Sequence, residues 1–321
     1  MTAEGMRETI LALPEHIQAA LALPIRNFEP RTFTGIDKIA FLGMGGSGIA
    51  GNIIRDLLPS IPVFLNKGYA APGFLDRKTL AICISYSGNT KETLEATHTA
   101  MKKNCRLLGL ASGGKMLELL VEEGRPHIAL PPGHLPRTSL PFQLFSLLNF
   151  FDQINLFPLD REGILAFARA LLAREPEARA LAEKLKGKLV FIYGSTPSVG
   201  LRFKTQLNEN AKVHAKAEVF PELNHNEVVA WQEQPPQGLA VVFLREPDER
   251  QEVRDSISFL QETIQGRADL LEIQASGQTR VEQVLSLIFL GDLASYHLAL
   301  ARRVDPEKTE YINTLKKIIR E

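Results

Sequence analysis

The sequence is poor in the residues that metal and redox chemistry depend on. Of its 321 residues only two are cysteine, Cys83 in the apolar run "LAICIS" and Cys105 before "LLGLAS", and neither has a metal-ligand or redox spacing. Both are expected to be buried free thiols, behaving as small hydrophobes in a reducing cytoplasm. No H-E-x-x-H pair, no clustered Cys and His and no Asp-rich calcium loop occurs, so neither a metal nor a cofactor is expected. An excess of charge of one sign is also missing. The 37 Lys+Arg balance 37 Asp+Glu, and no global field favours nucleic acid or an acidic membrane surface. The opening "MTAEGMRETILALPEHI" lacks the basic-then-apolar order of an export signal, and no uninterrupted apolar run is expected to reach membrane-spanning length. The expectation is a cytoplasmic protein without membrane or nucleic-acid partners.

What is present is enough for two cores: 45% of the residues are hydrophobic, in a chain long for one domain. After an amphipathic opening helix over about 6–22, "KIAFLGM" reads as a buried strand running through glycines into the helix "GIAGNIIRDLL". "IPVFLNKG", "LAICISYSG", "CRLLGLAS" and "HIALPPG" follow as short apolar runs, with helical patterns between some of them. The stretch from Ser139 to about Lys188 is helix-like, and then "KLVFIYGSTPSVGLRFKTQLNENAK" restarts the strand-turn-helix theme, with later strands in "GLAVVFLRE" and "DLLEIQAS". Alternating strands and helices predict an α/β protein of two similar domains, each a mainly parallel sheet flanked by helices. The expected division is 1–154 and 155–321.

The stretch "FLGMGGSGIAGN" carries Gly43, Gly45 and Gly48 in G-x-G-x-x-G register, with Gly46 and Ser47 added. Glycines between a strand and a helix let backbone amides approach an anion where the helix dipole favours negative charge. A dinucleotide site would want an acid closing the second strand. Here that strand ends in Asn66 and Lys67. The third strand instead leads into "SYSGNTKETLEA", where Ser85, Ser87 and Thr90 surround Gly88 at another helix start. Either turn alone is explained by ordinary helix capping. Two such loops on neighbouring strands point to a pocket for a small phosphomonoester.

With "GMGGSGIAGN" and "SYSGNT" followed by "NENAKVHA" and "PELNHNEVVAW", the chain resembles the sugar isomerase family over nearly its whole length. The match is specific to the bifunctional phosphoglucose/phosphomannose isomerases of archaea and some bacteria. The resemblance implies that Gly45, Gly46, Ser47, Ser85, Ser87 and Thr90 hold the substrate phosphate. It implies Arg137, in "LPRTSLP", near the reacting sugar, Glu209, in "LNENAK", as catalytic base, and His225, in "ELNHNEV", as the ring-opening histidine. In "EKTEYINTLKK" it implies Thr309 near the sugar's C2 and Lys316 beside the pyranose oxygen, with Lys317 and Lys308 competing for the second role. It further implies a homodimer in which His225 reaches the active site of the other subunit, and a sugar phosphate as the small-molecule partner.

The residue types suit that chemistry. Interconverting an aldose phosphate and its 2-ketose moves one proton between C2 and C1 through a cis-enediol, which one carboxylate, Glu209, can remove and return. Most hexose 6-phosphate is cyclic, and an imidazole such as His225, with its ordinary pKa near working pH, suits opening the ring. The guanidinium of Arg137 stays charged and can stabilise a developing enediolate. A small hydroxyl residue at Thr309 would let glucose and mannose 6-phosphates both present their C2 proton to Glu209. Read from local pattern alone, Glu209 is a helix-surface glutamate, His225 a solvated loop side chain, Arg137 a salt-bridge partner and Lys316 part of a solvated helix face. Two other functions fit some of these features: a non-catalytic sugar-phosphate sensor, and a nicotinamide-dependent dehydrogenase built on the glycine loop. An aminosugar synthase would need a nucleophilic cysteine domain, and neither cysteine is placed for one.

Overall fold

The protein is described by a computed structural model over residues 3–319. It divides into two compact units, one of Ala12–Leu165 with Asn313–Glu321, the other of Met1–Leu11 with Ala166–Ile312. Where the sequence suggests one crossing between residues 154 and 155, this division crosses inside a helix and exchanges short segments at both chain ends. The expected single opening helix is two, α1 (Ala3–Leu11) and α2 (Leu13–Ala22). The break has a local cause. Pro14 stands in the first turn of α2, where its missing N–H costs nothing but where a continuous helix would lose a bond.

In the first-sheet unit, β1 (Lys38–Gly43), β2 (Val63–Asn66), β3 (Thr79–Ile84), β4 (Arg106–Ala111) and β5 (His127–Ala129) form a parallel sheet in the order β2-β1-β3-β4-β5. All six residues of β3 are buried, as a parallel strand covered on both faces requires. The covering helices are α3 (Gly45–Leu57), α4 (Lys91–Lys102), α5 (Gly114–Glu122) and α6 (Leu140–Gln153). The buried stripe of α4, Thr93, Ala96, Thr97 and Ala100, follows the 3.6-residue repeat and meets Ala81, Cys83 and Met116 in one core. Cys83 and Cys105 are free and buried as expected, and burial pushes their thiols up to about 12 and about 11.

The chain crosses in α7 (Arg161–Leu171), continues through α8 (Glu175–Leu185), and builds the second sheet. There β6 (Leu189–Gly194), β7 (Ala215–Val219), β8 (Leu239–Arg245) and β9 (Asp269–Gln274) run parallel in the order β7-β6-β8-β9. The two orders share a pattern, with the second strand in sequence on the outside and the chain switching direction after it. The edge strand β7 has no clear sequence signal because Lys216 and Glu218 interrupt it and all five residues are only half-buried. Helices α9 (Pro197–Gln206), α10 (Glu227–Ala230), α11 (Gln251–Ile264), α12 (Arg280–Ala301) and α13 (Glu310–Ile318) complete the chain. Although Gln283 and Asp292 interrupt its apolar run, α12 is, with 22 residues, long and apolar enough to cross a membrane by length and composition. However, 83% of that window is buried inside the protein, packed on α8 and α9 as a core helix.

Candidate active site

In a doubly wound parallel sheet, ligands bind outside the carboxyl ends of the strands where the winding reverses, because the flanking loops part there. In the first unit that point lies between β1 and β3. Gly43 at the end of β1 is paired with Ile84 at the end of β3, so the two glycine- and hydroxyl-bearing loops leave the sheet side by side. They are joined directly: the Tyr86 N–H donates to Ser47 Oγ at 3.0 Å.

The six expected phosphate residues therefore lie at one strand edge, in different states. Ser47 and Ser85 are buried at 7% and 1% exposure and spend part of their bonding capacity on the protein itself. Ser85 Oγ lies 3.2 Å from Thr90 Oγ1 and accepts the Thr90 N–H at 3.4 Å, which fastens the start of α4. Ser87 and Gly45 are exposed, and Gly46 and Thr90 are half-buried. The buried hydroxyls brace the loops, and Ser87 and Gly45 are left at the surface.

Two glycines are required by close approach. A Cβ on Gly46 would stand 2.9 Å from the Pro136 carbonyl carbon and 3.0 Å from the Arg137 nitrogen, so only glycine lets the 136–137 backbone lie against the first loop. Arg137 thus joins this edge, 4% exposed. Gly88 has φ +72°, and a Cβ there would lie 1.7 Å from the Gly113 oxygen. Tyr86 holds the other side: its hydroxyl donates to Pro131 O at 2.7 Å and accepts the His134 N–H at 2.9 Å. Sequence pattern gave no reason to single out Tyr86, because its role depends on a segment some 45 residues away.

Behind that segment His16 and His134 meet edge to face, ring centroids 5.1 Å apart, and both pack on Phe142. Burial first, then the neighbouring His134, pushes His16 down to about 4, and burial lowers His134 as well.

In the second unit Glu209 lies on a single π turn, Leu207–Ala211, that continues α9. Such turns widen a helix and re-aim its side chains, and they concentrate at functional sites. This one is fastened on several sides. Arg202 makes a two-point ion pair with Asp292 of α12 at 3.0 and 2.7 Å, and Asn210 Nδ2 donates to Ser295 Oγ at 2.9 Å. Lys212 ends the turn in the left-handed region, φ +54°, and its ammonium donates to Glu209 O at 2.6 Å and Asp305 O at 2.9 Å. The Glu209 side chain is half-buried.

His225 is exposed at the end of a short 3-10 turn, Glu222–His225. Two residues on, buried Glu227 anchors the segment: it accepts the Tyr193 hydroxyl at 2.8 Å and a bond from Lys216, and Trp231 Nε1 donates to Tyr193 Oη at 3.2 Å. On the other side Asn224 Nδ2 donates to Ser256 Oγ at 2.9 Å. Glu227 is a residue that sequence reading missed; the available signal was an acid inside the otherwise apolar "EVVAW". Thr309 is half-buried just before α13, in the same unit as Glu209 and His225, whereas exposed Lys316 and Lys317 on α13 fall with the first unit. Lys308 is exposed and lies 3.7 Å from Glu310.

A family profile described as bacterial phospho-glucose isomerase C-terminal SIS domain matches residues 174–319. The chain is 37% identical to the bifunctional phosphoglucose/phosphomannose isomerase of Thermoplasma volcanium, over 88% of this chain and 91% of that one. It is 34% identical to the enzyme of the same name from Caldicellulosiruptor bescii, over 97% and 98%. Among solved structures, a putative phosphosugar isomerase from Clostridium difficile 630 superposes with a TM-score of 0.75 at 18% identity, covering 99% of this chain and 98% of the other, a likeness of fold.

Proposed function

The chain belongs to the bifunctional phosphoglucose/phosphomannose isomerase family, and from that premise we propose that it interconverts glucose 6-phosphate and mannose 6-phosphate with fructose 6-phosphate. The observation that carries the reading is the pairing of two glycine- and hydroxyl-rich loops at the β1/β3 edge, tied by Ser47 and Tyr86, in a chain whose full-length relatives bear that name.

In this reading the terminal phosphate is held by the backbone amides of Gly45 and Gly46 and the hydroxyls of Ser47, Ser85, Ser87 and Thr90. His225 and Lys316 open the pyranose, one proton going to the ring oxygen while the C1 hydroxyl loses one. Glu209 then takes the C2 proton as base; the electron pair of that C–H bond forms the C1–C2 double bond of a cis-enediol, and the carbonyl oxygen at C1 gains a proton. Return of the proton to C1, with loss of the O2 proton, leaves the 2-ketose. Arg137 offsets negative charge on the enediolate oxygens, where a fixed cation stabilises the transition state more than the ground state. Thr309 leaves room beside C2 for either epimer. The exposure of His225 on its own protomer fits a homodimer in which that imidazole serves the partner's site, and the reading places the enzyme in the cytoplasm.

The test is one coupled assay with fructose 6-phosphate that reads both aldose products, with and without a chelator. Formation of glucose and mannose 6-phosphates, undiminished by chelation, is the expected result. Glucose 6-phosphate alone would remove the dual specificity, and no product at all would leave the sensor reading standing.

A further inference from the structure

The first-sheet unit holds a second cleft, at the opposite edge of its sheet from the phosphate loops. It has a volume of about 370 Å³ and is lined by Thr32, Phe33, Asn104, Leu107 and three arginines, Arg77, Arg106 and Arg125, among others. Arg77 stands two residues before β3, Arg106 is the first residue of β4, and Arg125 stands two residues before β5. All three therefore sit at amino-terminal strand ends. The loops after β1 and β3 leave from the carboxyl ends, about 20 Å away along a six-residue strand.

The charges in this cleft are not balanced by the protein. No carboxylate lines it, and among the described residues none of the three guanidinium groups makes an ion pair. Arg106 gives one N–H to the Thr32 carbonyl; its Nε, and that of Arg125, are buried without an acceptor. The neighbouring acid Asp76 is engaged elsewhere, with Lys38 Nζ at 3.0 Å and the Thr79 hydroxyl at 2.9 Å. Cys105 adds no negative charge either, since burial raises its thiol to about 11. Elsewhere in this protein several arginines near or below the surface meet carboxylates, as Arg202 meets Asp292 and Arg245 meets Glu249 and Glu272. Three guanidiniums facing one cavity, two with orphaned buried donors, form an arrangement that an anion completes.

We propose that this cleft binds a small metabolite carrying two or more phosphate or carboxylate groups, at a site separate from the one that holds the sugar phosphate. The planar donor fork of arginine matches both kinds of oxyanion, and the volume lies in the lower range for small-molecule pockets, about 300–1,000 Å³. Phe33 and Leu107 supply an apolar wall for a short carbon skeleton, and Thr32 and Asn104 add polar contacts at the rim.

Calorimetric titration of the full-length protein with inorganic pyrophosphate, and separately with citrate, tests this. Wild type is expected to bind at least one of them, with the affinity falling about tenfold in Arg77→Gln and again in Arg77→Gln/Arg125→Gln. The KM for fructose 6-phosphate should stay unchanged in both. Arg77 is exposed and, among the described residues, its side chain makes no hydrogen bond or ion pair, so its replacement leaves the fold intact, and the thermal midpoint of each variant without ligand checks this. Binding of pyrophosphate and citrate together marks a general oxyanion site, and binding of pyrophosphate alone a phosphate site. Either result supports the proposal. Unchanged affinity in the double variant, no binding by wild type, or binding lost only in Ser87→Ala would overturn it, the last by assigning the anion to the loops after β1 and β3.

Discussion

The two sheets share a winding order, yet the crevices at their reversal points are built from opposite chemistry. After β1 and β3 the loops themselves, from Met44 to Ser47 and from Ser85 to Thr90, carry glycines and hydroxyls and no acid, and the nearest buried carboxylate is that of Glu92 in the first turn of α4. After β6 and β8 the corresponding positions hold Thr196, Glu246 and Glu249, buried at 3%, 8% and 7% exposure. There Glu246 accepts from the Thr196 hydroxyl, and Arg280, at the start of α12, pairs with Glu246 at 2.6 Å and donates to Thr196. Glu249 accepts the Glu246 N–H at 2.8 Å and pairs with Arg245 at 3.0 Å. The second crevice therefore contains its own anions and their counter-ion, and the loops of the first are where the proposed function puts the substrate phosphate. One topology supplies two equivalent edges, and a few side chains give them different chemistry. In the proposed function the second unit contributes differently, through the braced turns that carry Glu209 and His225.

Predictions that bear on this contrast begin with the proposed catalytic residue. Glu209→Gln should lower kcat by about a thousandfold while the KM for fructose 6-phosphate and the thermal midpoint stay near wild type, because an amide keeps the shape and loses the base. Steady-state kinetics decide this, and retained turnover would move the chemistry elsewhere. A smaller effect is expected where the loops themselves are altered. Gly88→Ala should raise KM about tenfold and also destabilise, because its methyl would overlap the Gly113 carbonyl of the first unit. Its counterpart, Glu246→Gln, should cost about 2 kcal/mol of stability by leaving Arg280 without its counter-charge, and should leave KM alone. If both changes shifted KM equally, the two crevices would not differ in function as argued.

The smallest effect concerns pH. Since His16 falls from 6.5 to about 4 on folding, the unfolded chain binds more protons between those values. Stability is complete above about pH 6.5 and declines as the pH falls toward 4, and a thermal midpoint a few degrees lower at pH 5 than at pH 7 is expected. His16→Leu should flatten that slope. The single tryptophan, Trp231, lies in the other unit, where burial also lowers His297, so its emission read beside the far-ultraviolet dichroism on acidification tells whether one unit loses structure before the other. Simultaneous change would mean that the two units lose structure together.

Much of this was legible in advance, for identifiable reasons. Strands such as "LAICIS" are continuous apolar runs because both faces are covered, and the hydroxyls after them stand at the helix start that the pattern marks. The strand β7 was not legible, because Lys216 and Glu218 face water on an edge and its pairing with β6 is a property of the sheet. Nor was the π turn at Glu209, since its stability depends on Asp292 and Ser295, more than 80 residues away. The apolar character of α12 reflects burial within the second unit. Tyr86, Glu227 and the three-arginine cleft share one property, that their partners are distant in the chain.

The sequence by itself determined the class of fold, the two loops with their phosphate-binding residue types, and the family, since each follows from the order of residues over a short span. Only the tertiary structure decided that Ser47 meets Tyr86, that the crevice after β6 and β8 holds its own ion pairs, and that three arginines face a common cavity. Strand order and helix packing set which side chains become neighbours, and hydrogen bonds and charge pairs act over a few ångströms of space whatever the distance along the chain.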